Sequence, residues 1–378
     1  LDLIEYEKGD NISIKDTKSI FDFNKRKFED TGKFIATLII PTGIGAEIGG
    51  HCGDGNVAAR LLASACDTLI THPNVVNASD INEMTENTLY VEGSILTRFF
   101  MGAVGLQRVR SNRILMLMDK VKDHYLNEEI INAVSSARVT LGVDCDVLEM
   151  SNIMESNPIF TNSDRAAGNI KHLERLFDII KKHRNSYDAI GLATVIDVEG
   201  DADKEYFTTD DEVVNPWGGI EAMITHSVAQ TFEIPCAHSP LAGSMEKAHI
   251  DMRLAIVDPT QTPETASVTY LHCILKGLHR SPRVTSYDKG LNAENISCLV
   301  IPDGCIGLPV LACIEHGIPV IAVKNKNRMK NDLRSLPFKK GQLIFAENYF
   351  EAAGIMTALK SGVSVESLER PIKYTKIV

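Results

Sequence analysis

Four stretches of the chain bring together residue types able to move protons, hold anions or attack electrophiles. The first, Pro41 to Gly55, carries six glycines in 15 residues, with His51, Cys52 and Asp54 within four positions. Glycines permit close backbone approach and positive φ. Thr42, Gly43, Gly45, Gly49, Gly50 and His51 therefore read as an anion cradle before a helix, with Asp54 as an orienting or proton-accepting carboxylate. No Gly-Lys-Ser/Thr follows, and the third glycine of a dinucleotide fingerprint falls four residues after the second rather than three, so neither a P-loop nor a dinucleotide site is expected. The second stretch, Thr71 to Asp80, offers His72 as acid or base and Asn74 and Asn77 as amide ligands, although such side chains also serve turn backbone.

The third stretch runs from Asn215 to Pro240. Gly218 and Gly219 repeat the cradle pattern ahead of a helix that carries Glu221 and His226. That helix is otherwise apolar at Ile220, Met223, Ile224 and Val228, so His226 reads equally as a core histidine and as a site residue. Cys236 and His238 flank one residue. A thiol beside an imidazole suits a nucleophile with its base; without a second ligand pair at suitable spacing it does not make a zinc site, and no metal is expected. In the fourth stretch Asp303, Gly304 and Cys305 open a strand–turn–helix unit, and Lys324 begins a basic run that is either a solvated face or an anion contact.

The elements that must position these groups alternate between strand and helix. Short apolar runs at 34–40, 67–71, 113–119, 146–150, 189–196, 297–301 and 318–323 read as strands, several of them buried on both faces. Helical periodicity falls at 56–65, 92–102, 127–141, 169–183, 220–232 and 308–316. The expected fold is α/β, a Rossmann-like three-layer arrangement around a mainly parallel sheet, in two similar halves with a cleft between them. An arm at 1–33 is expected to precede α/β domains at 34–205 and 206–378, divided in the acidic stretch that starts at Glu199. Loops at the carboxyl ends of parallel strands converge, so Pro41–Asp54, His72–Asn77 and Gly218–His238 are expected to line one cleft.

Composition narrows the class. Of 378 residues 44% are hydrophobic and 24% charged, which suits a packed fold rather than disorder. Thirty-nine basic against 50 acidic residues give a net charge of -11, so a nucleic-acid partner is not expected. No apolar run approaches the ~20 residues that span a bilayer, and no charged-then-apolar leader opens the sequence, so neither is a membrane partner. Eight cysteines without a CxxC pair read as reduced thiols in the cytoplasm, with Cys66, Cys145, Cys273 and Cys298 as small core residues. Assembly into a homo-oligomer is left open.

Several phrases, taken in order, resemble an uncharacterised family of bacteria and plastid-bearing organisms, domain of unknown function 3326. They are Ile40 to Gly45 with Gly49-Gly50 and Gly53-Asp54, Cys66-Asp67 leading to Leu69 through Val75, Tyr90 to Gly93, Glu221-Ala222 to His226, and Phe232 to His238. The resemblance covers most of 34–360 and implies membership without a reaction. The residues themselves lead to an enzyme acting on a small carboxylate- or phosphate-bearing metabolite, with His72, His238, Cys236 and Asp54 doing the chemistry. No cofactor is identified, and the absence of a redox motif points to hydrolase, transferase, lyase or isomerase chemistry. The rival expectation is a regulatory protein that binds the metabolite without turning it over.

Overall fold

The computed structural model describes residues 24–377 apart from 152–153, 161–165, 197, 199–205, 208–213, 245–255, 266 and 268. Its centre is a six-stranded sheet of β1 (Ile35–Leu38), β2 (Thr68–Thr71), β3 (Thr88–Tyr90), β12 (Ile296–Pro302), β13 (Val320–Val323) and β14 (Leu343–Ala346). The order across it is β14-β13-β12-β1-β2-β3, and each neighbouring pair is parallel. This is the 3-2-1-4-5-6 order of a doubly wound α/β sheet, whose direction of winding reverses between β1 and β12. Every residue of β1 and β12 is buried, as expected of apolar runs covered on both faces.

A second sheet is inserted between β3 and β12. It contains β5 (Arg113–Asp119), β6 (Asp144–Met150), β9 (Ala189–Val195) and β10 (Cys236–Leu241) in the order β10-β9-β5-β6, again wholly parallel. Its winding reverses between β5 and β9. Two antiparallel pairs complete the strands: β4 (Gly105–Gln107) with β11 (Arg283–Thr285), and β7 (Glu155–Phe160) with β8 (Ala166–Lys171). The fold is thus α/β with helices flanking two parallel sheets. The division expected near residue 205 falls between β9 and β10, which pair directly, and the six-stranded sheet draws strands from both sides of it.

The helices are α1 (Asn56–Ser64), α2 (Pro73–Val76), α3 (Gly93–Phe100), α4 (His124–Leu141), α5 (Leu173–His183), α6 (Gly218–Phe232), α7 (His272–His279), α8 (Leu308–His316) and α9 (Tyr349–Lys360). The helix expected over 169–183 begins only at Leu173. Ile170 belongs to β8, and His172 at φ 64° turns the chain between strand and helix. Helix α6 joins the two sheets: it packs on β10 and β8 and, across the molecule, on α3. Of the arm expected at 1–33, residues 1–23 lie outside the described residues; beyond them Arg26 N–H donates to His316 and Asp30 N–H to Glu294.

Candidate functional site

The carboxyl ends of both sheets face one cleft of about 150 Å³. Thr42 reaches it from the loop after β1, His72 and Asn77 from the segment after β2, Glu92 from just past β3, Ile196 from just past β9, and His238 to Gly243 from β10 and the two residues after it. Helix α6 contributes Gly218, Glu221, Ala222, Thr225 and His226, spaced by three and four so that one face of the helix forms a wall. The volume matches a cavity that holds a benzene-sized molecule. The described lining includes Glu92, Glu221 and Glu264 and the three histidines 72, 226 and 238, and no lysine or arginine.

Each histidine has different work. Glu92 is 2% exposed and caps α3, one oxygen accepting Ser94 N–H, Ile95 N–H and the Ser94 hydroxyl, the other bonded to Nδ1 of His226. Burial would raise the Glu92 carboxyl, but the bonds from His226 and Ser94 outweigh it and hold the pKa below the ordinary value. The ionised carboxylate accepts, so Nδ1 carries the proton and Nε2 is the nitrogen that exchanges one. Nε2 has no partner among the described residues, and the side chain is 44% exposed.

His238 is fully committed: Nδ1 lies 3.3 Å from Glu221 Oε2 and Nε2 lies 2.8 Å from the Thr194 hydroxyl. It positions Glu221. His72 is 7% exposed, and its Nε2 accepts Ile40 N–H at 3.1 Å, which puts the proton on Nδ1. Burial lowers its pKa to about 4, aided by His226 and opposed by Glu92, so the ring is neutral at neutral pH.

A second network meets the cleft at Glu264, which is 5% exposed and accepts Cys52 N–H, the Tyr206 hydroxyl at 2.8 Å and the Asn215 amide. Burial raises its pKa to about 7, and Glu221 adds to the rise. The Tyr206 oxygen in turn lies 2.7 Å from His51 Nδ1, so His51 reaches the cleft only through Tyr206. Glu92 carried a sequence signal only as part of the Tyr90–Gly93 phrase. Glu264 carried none, because its partners lie 49 to 212 positions away.

Other expected site residues have structural work. Cys236 lies fully buried two residues below His238, about 7 Å deeper along the strand, and burial pushes its thiol well above the usual range. That is the reverse of an activated nucleophile. Asp54 does not line the cleft; it accepts Gly49 N–H at 2.6 Å and braces its own loop, with burial raising its pKa to about 7 against that bond. Three successive amides of the loop are likewise spent inside the protein: Glu47 N–H on Lys326, Ile48 N–H on Asn325 and Gly49 N–H on Asp54. Gly43, Gly45 and Gly50 belong to the same packed loop and do not line the cleft; Gly50 sits so tightly that a Cβ would come 2.1 Å from the Ala46 oxygen.

The opening of α6 follows the same logic. The N–H groups of Trp217 and Gly218 donate to Asn215 Oδ1, and Gly219 lets the helix touch the Ala166 backbone, so neither glycine presents a free cradle. Asn74 donates to the Ile40 and Gly49 carbonyls while bordering the cleft. Asp303, Gly304 and Cys305 lie in the turn after β12, bound to Asn327 and Asn331 and away from the cleft, and Lys324 pairs with Glu347 at the surface.

Fold and cleft together define a doubly wound α/β protein with two carboxylate–imidazole pairs in a shared cleft. The chain belongs to the family described as Protein of unknown function (DUF3326), whose model matches residues 35–369. It is 30% identical over 363 residues to an uncharacterized lipoprotein of Synechococcus sp., covering 90% of this chain and 95% of that one. No solved structure matches it. Among the described residues no helix is long and apolar enough to cross a membrane.

Proposed function

We propose that the protein is an enzyme that moves protons on a small polar metabolite held in the cleft. His226 takes and returns the proton at Nε2, and Glu221, held by His238, serves as the second acid or base. The observation that carries this reading is the Glu92 bond to Nδ1 of His226, which orients the ring and fixes its tautomer while Nε2 stays open. Carboxylate-lined walls with no lysine or arginine among the described residues favour a ligand with no net negative charge over the anionic metabolite expected from the glycine loops.

The test begins with a thermal-shift screen of neutral and cationic metabolites beside carboxylates and phosphates, since a ligand well above its Kd stabilises by a few kcal/mol. Turnover of each hit is then compared between wild type and His226→Ala. An acid–base role predicts a loss of ~10²–10⁴-fold in a variant that is still folded at the assay temperature, although it gives up the partner of Glu92. A hit that binds both forms equally and is never converted would favour a non-catalytic metabolite-binding protein instead.

The eight free thiols support a reducing, cytoplasmic setting, whereas the name of the Synechococcus relative would place it on a membrane. Fractionation of cells expressing the native gene decides between them. Nucleic acid remains an unlooked-for partner for an acidic chain, and sedimentation would show whether a homo-oligomer forms.

A further inference from the structure

Resting on that reading, we infer that the substrate is a carbonyl compound whose oxygen is received by His72 Nδ1–H, Asn77 Nδ2–H and the Ser79 hydroxyl. The two long walls of the cleft have opposite hydrogen-bonding character. On the α6 wall stand the groups that accept protons, Glu221 and His226. On the β2 wall, three side chains within eight residues hold donors that no other described residue uses. Nε2 of His72 is taken by Ile40 N–H, so the ring proton sits on Nδ1, which has no partner among the described residues although the residue is 7% exposed and borders the cleft. Asn77 spends its oxygen on the Tyr90 hydroxyl, leaving its NH₂ group to the cleft. Ser79 is 2% exposed, borders the cleft and has a buried hydroxyl without a partner among the described residues.

The Ser79 hydroxyl is a buried donor with no acceptor among the described residues, which costs free energy, and with His72 and Asn77 offering donors on the same wall it implies an acceptor that arrives with the ligand. All three are neutral. Neutral donors suit a carbonyl oxygen and the enolate it becomes, where a phosphate or carboxylate would call for arginine or lysine, which the described lining lacks. A neutral imidazole donating to a carbonyl while a second group removes the adjacent proton is established enolisation chemistry.

The step balances within the cleft. The C–H bond next to the carbonyl breaks and an N–H bond forms at His226 Nε2. The released electron pair forms the C–C double bond, and the carbonyl π pair moves onto the oxygen held by the β2 wall. Returning the proton to the same carbon from the other face completes a racemisation. Where that carbon bears a hydroxyl, passing the hydroxyl proton to the oxygen held by the β2 wall and the Nε2 proton to the former carbonyl carbon moves the carbonyl along the chain. Neither outcome needs a further reactant.

Two measurements test the inference. Histidine-selective ¹⁵N NMR reads the tautomers directly: His72 is expected as Nδ1–H with no titration above about pH 5. Equilibrium binding of three- to five-carbon ketones, each beside its matched alcohol (dihydroxyacetone beside glycerol, for instance), is expected to favour the ketone at least tenfold. Ser79→Ala and Asn77→Ala are each expected to remove about tenfold of that preference, and neither has to replace the His72 bond to Ile40. An Nε2–H tautomer at His72, alcohols binding as tightly as ketones, or no saturable ketone binding would overturn the inference. A non-carbonyl ligand whose turnover is lost in His226→Ala would sink the carbonyl assignment and leave the acid–base reading standing. Ketone binding without proton exchange into D₂O would do the reverse.

Discussion

Gly93 lies against the imidazole of His226: a Cβ at position 93 would come 3.0 Å from Cε1 of that ring. Gly93 opens α3, and its neighbour Glu92 caps that helix and bonds the same ring. One dipeptide therefore holds His226 by charge and shapes the space it occupies. Gly93→Ala should leave stability within about 1 kcal/mol, because a helical alanine offsets the push on a half-exposed ring. The ring itself should tilt off Glu92. The ring ¹H–¹⁵N correlations of His226 and turnover should both change while the melting temperature holds; unchanged ring correlations would sink the idea.

Glu92→Gln removes the charge and keeps an acceptor for the α3 cap. The folded pKa of Glu92 lies below its ordinary value, so its stabilising contribution is present above the unfolded pKa near 4.5 and lost as pH falls through the folded value. Wild type should therefore lose stability in acid more steeply than the variant. Urea denaturation at pH 7 and pH 4 checks this, and parallel curves for the two proteins would refute it.

His72 works in the same direction for a different reason. Its pKa falls from 6.5 in the unfolded chain to about 4 in the folded one, so the unfolded state binds more protons between those values. Stability is complete above 6.5 and drops by roughly 3 kcal/mol on the way down to pH 4. His72→Gln should flatten that slope and cost about 1–3 kcal/mol at pH 7 if the new side chain fails to reach Ile40 N–H. Melting curves across pH 4–7 would show it.

Asp54 has the opposite sign. Its folded pKa is raised to about 7, so stability is fully present below the unfolded value of 3.8 and is lost as pH rises through 7. Asp54→Asn keeps the acceptor for Gly49 N–H and sheds the buried charge. The variant should be at least as stable as wild type at pH 8, less favoured at pH 5, and active. Loss of turnover with the fold intact would return Asp54 to the chemistry.

Cys236→Ala removes a thiol that faces the core rather than the cleft. It should cost on the order of 1 kcal/mol of stability and leave kcat unchanged. A variant as stable as wild type yet inactive would restore the nucleophile.

The α/β class was legible because apolar runs of strand length alternate with segments of helical period, and both patterns are local. So were His72, Glu221, His226 and His238 as polar groups at strand ends or on a helix wall. Their division of labour was not. Whether a histidine nitrogen is free depends on what meets it through space: Ile40 is 32 positions from His72 and Glu92 is 134 from His226. Cys236 and His238 show the same limit at short range: residues two apart share a face of the strand, and the ~7 Å rise between them set one in the core and the other at the cleft. The glycine loops misled for a related reason. Composition shows that amides can approach a ligand, and only the fold decides whether Asp54, Asn215 or Asn325 has already taken them, because a buried N–H must find an acceptor wherever the packed chain supplies one.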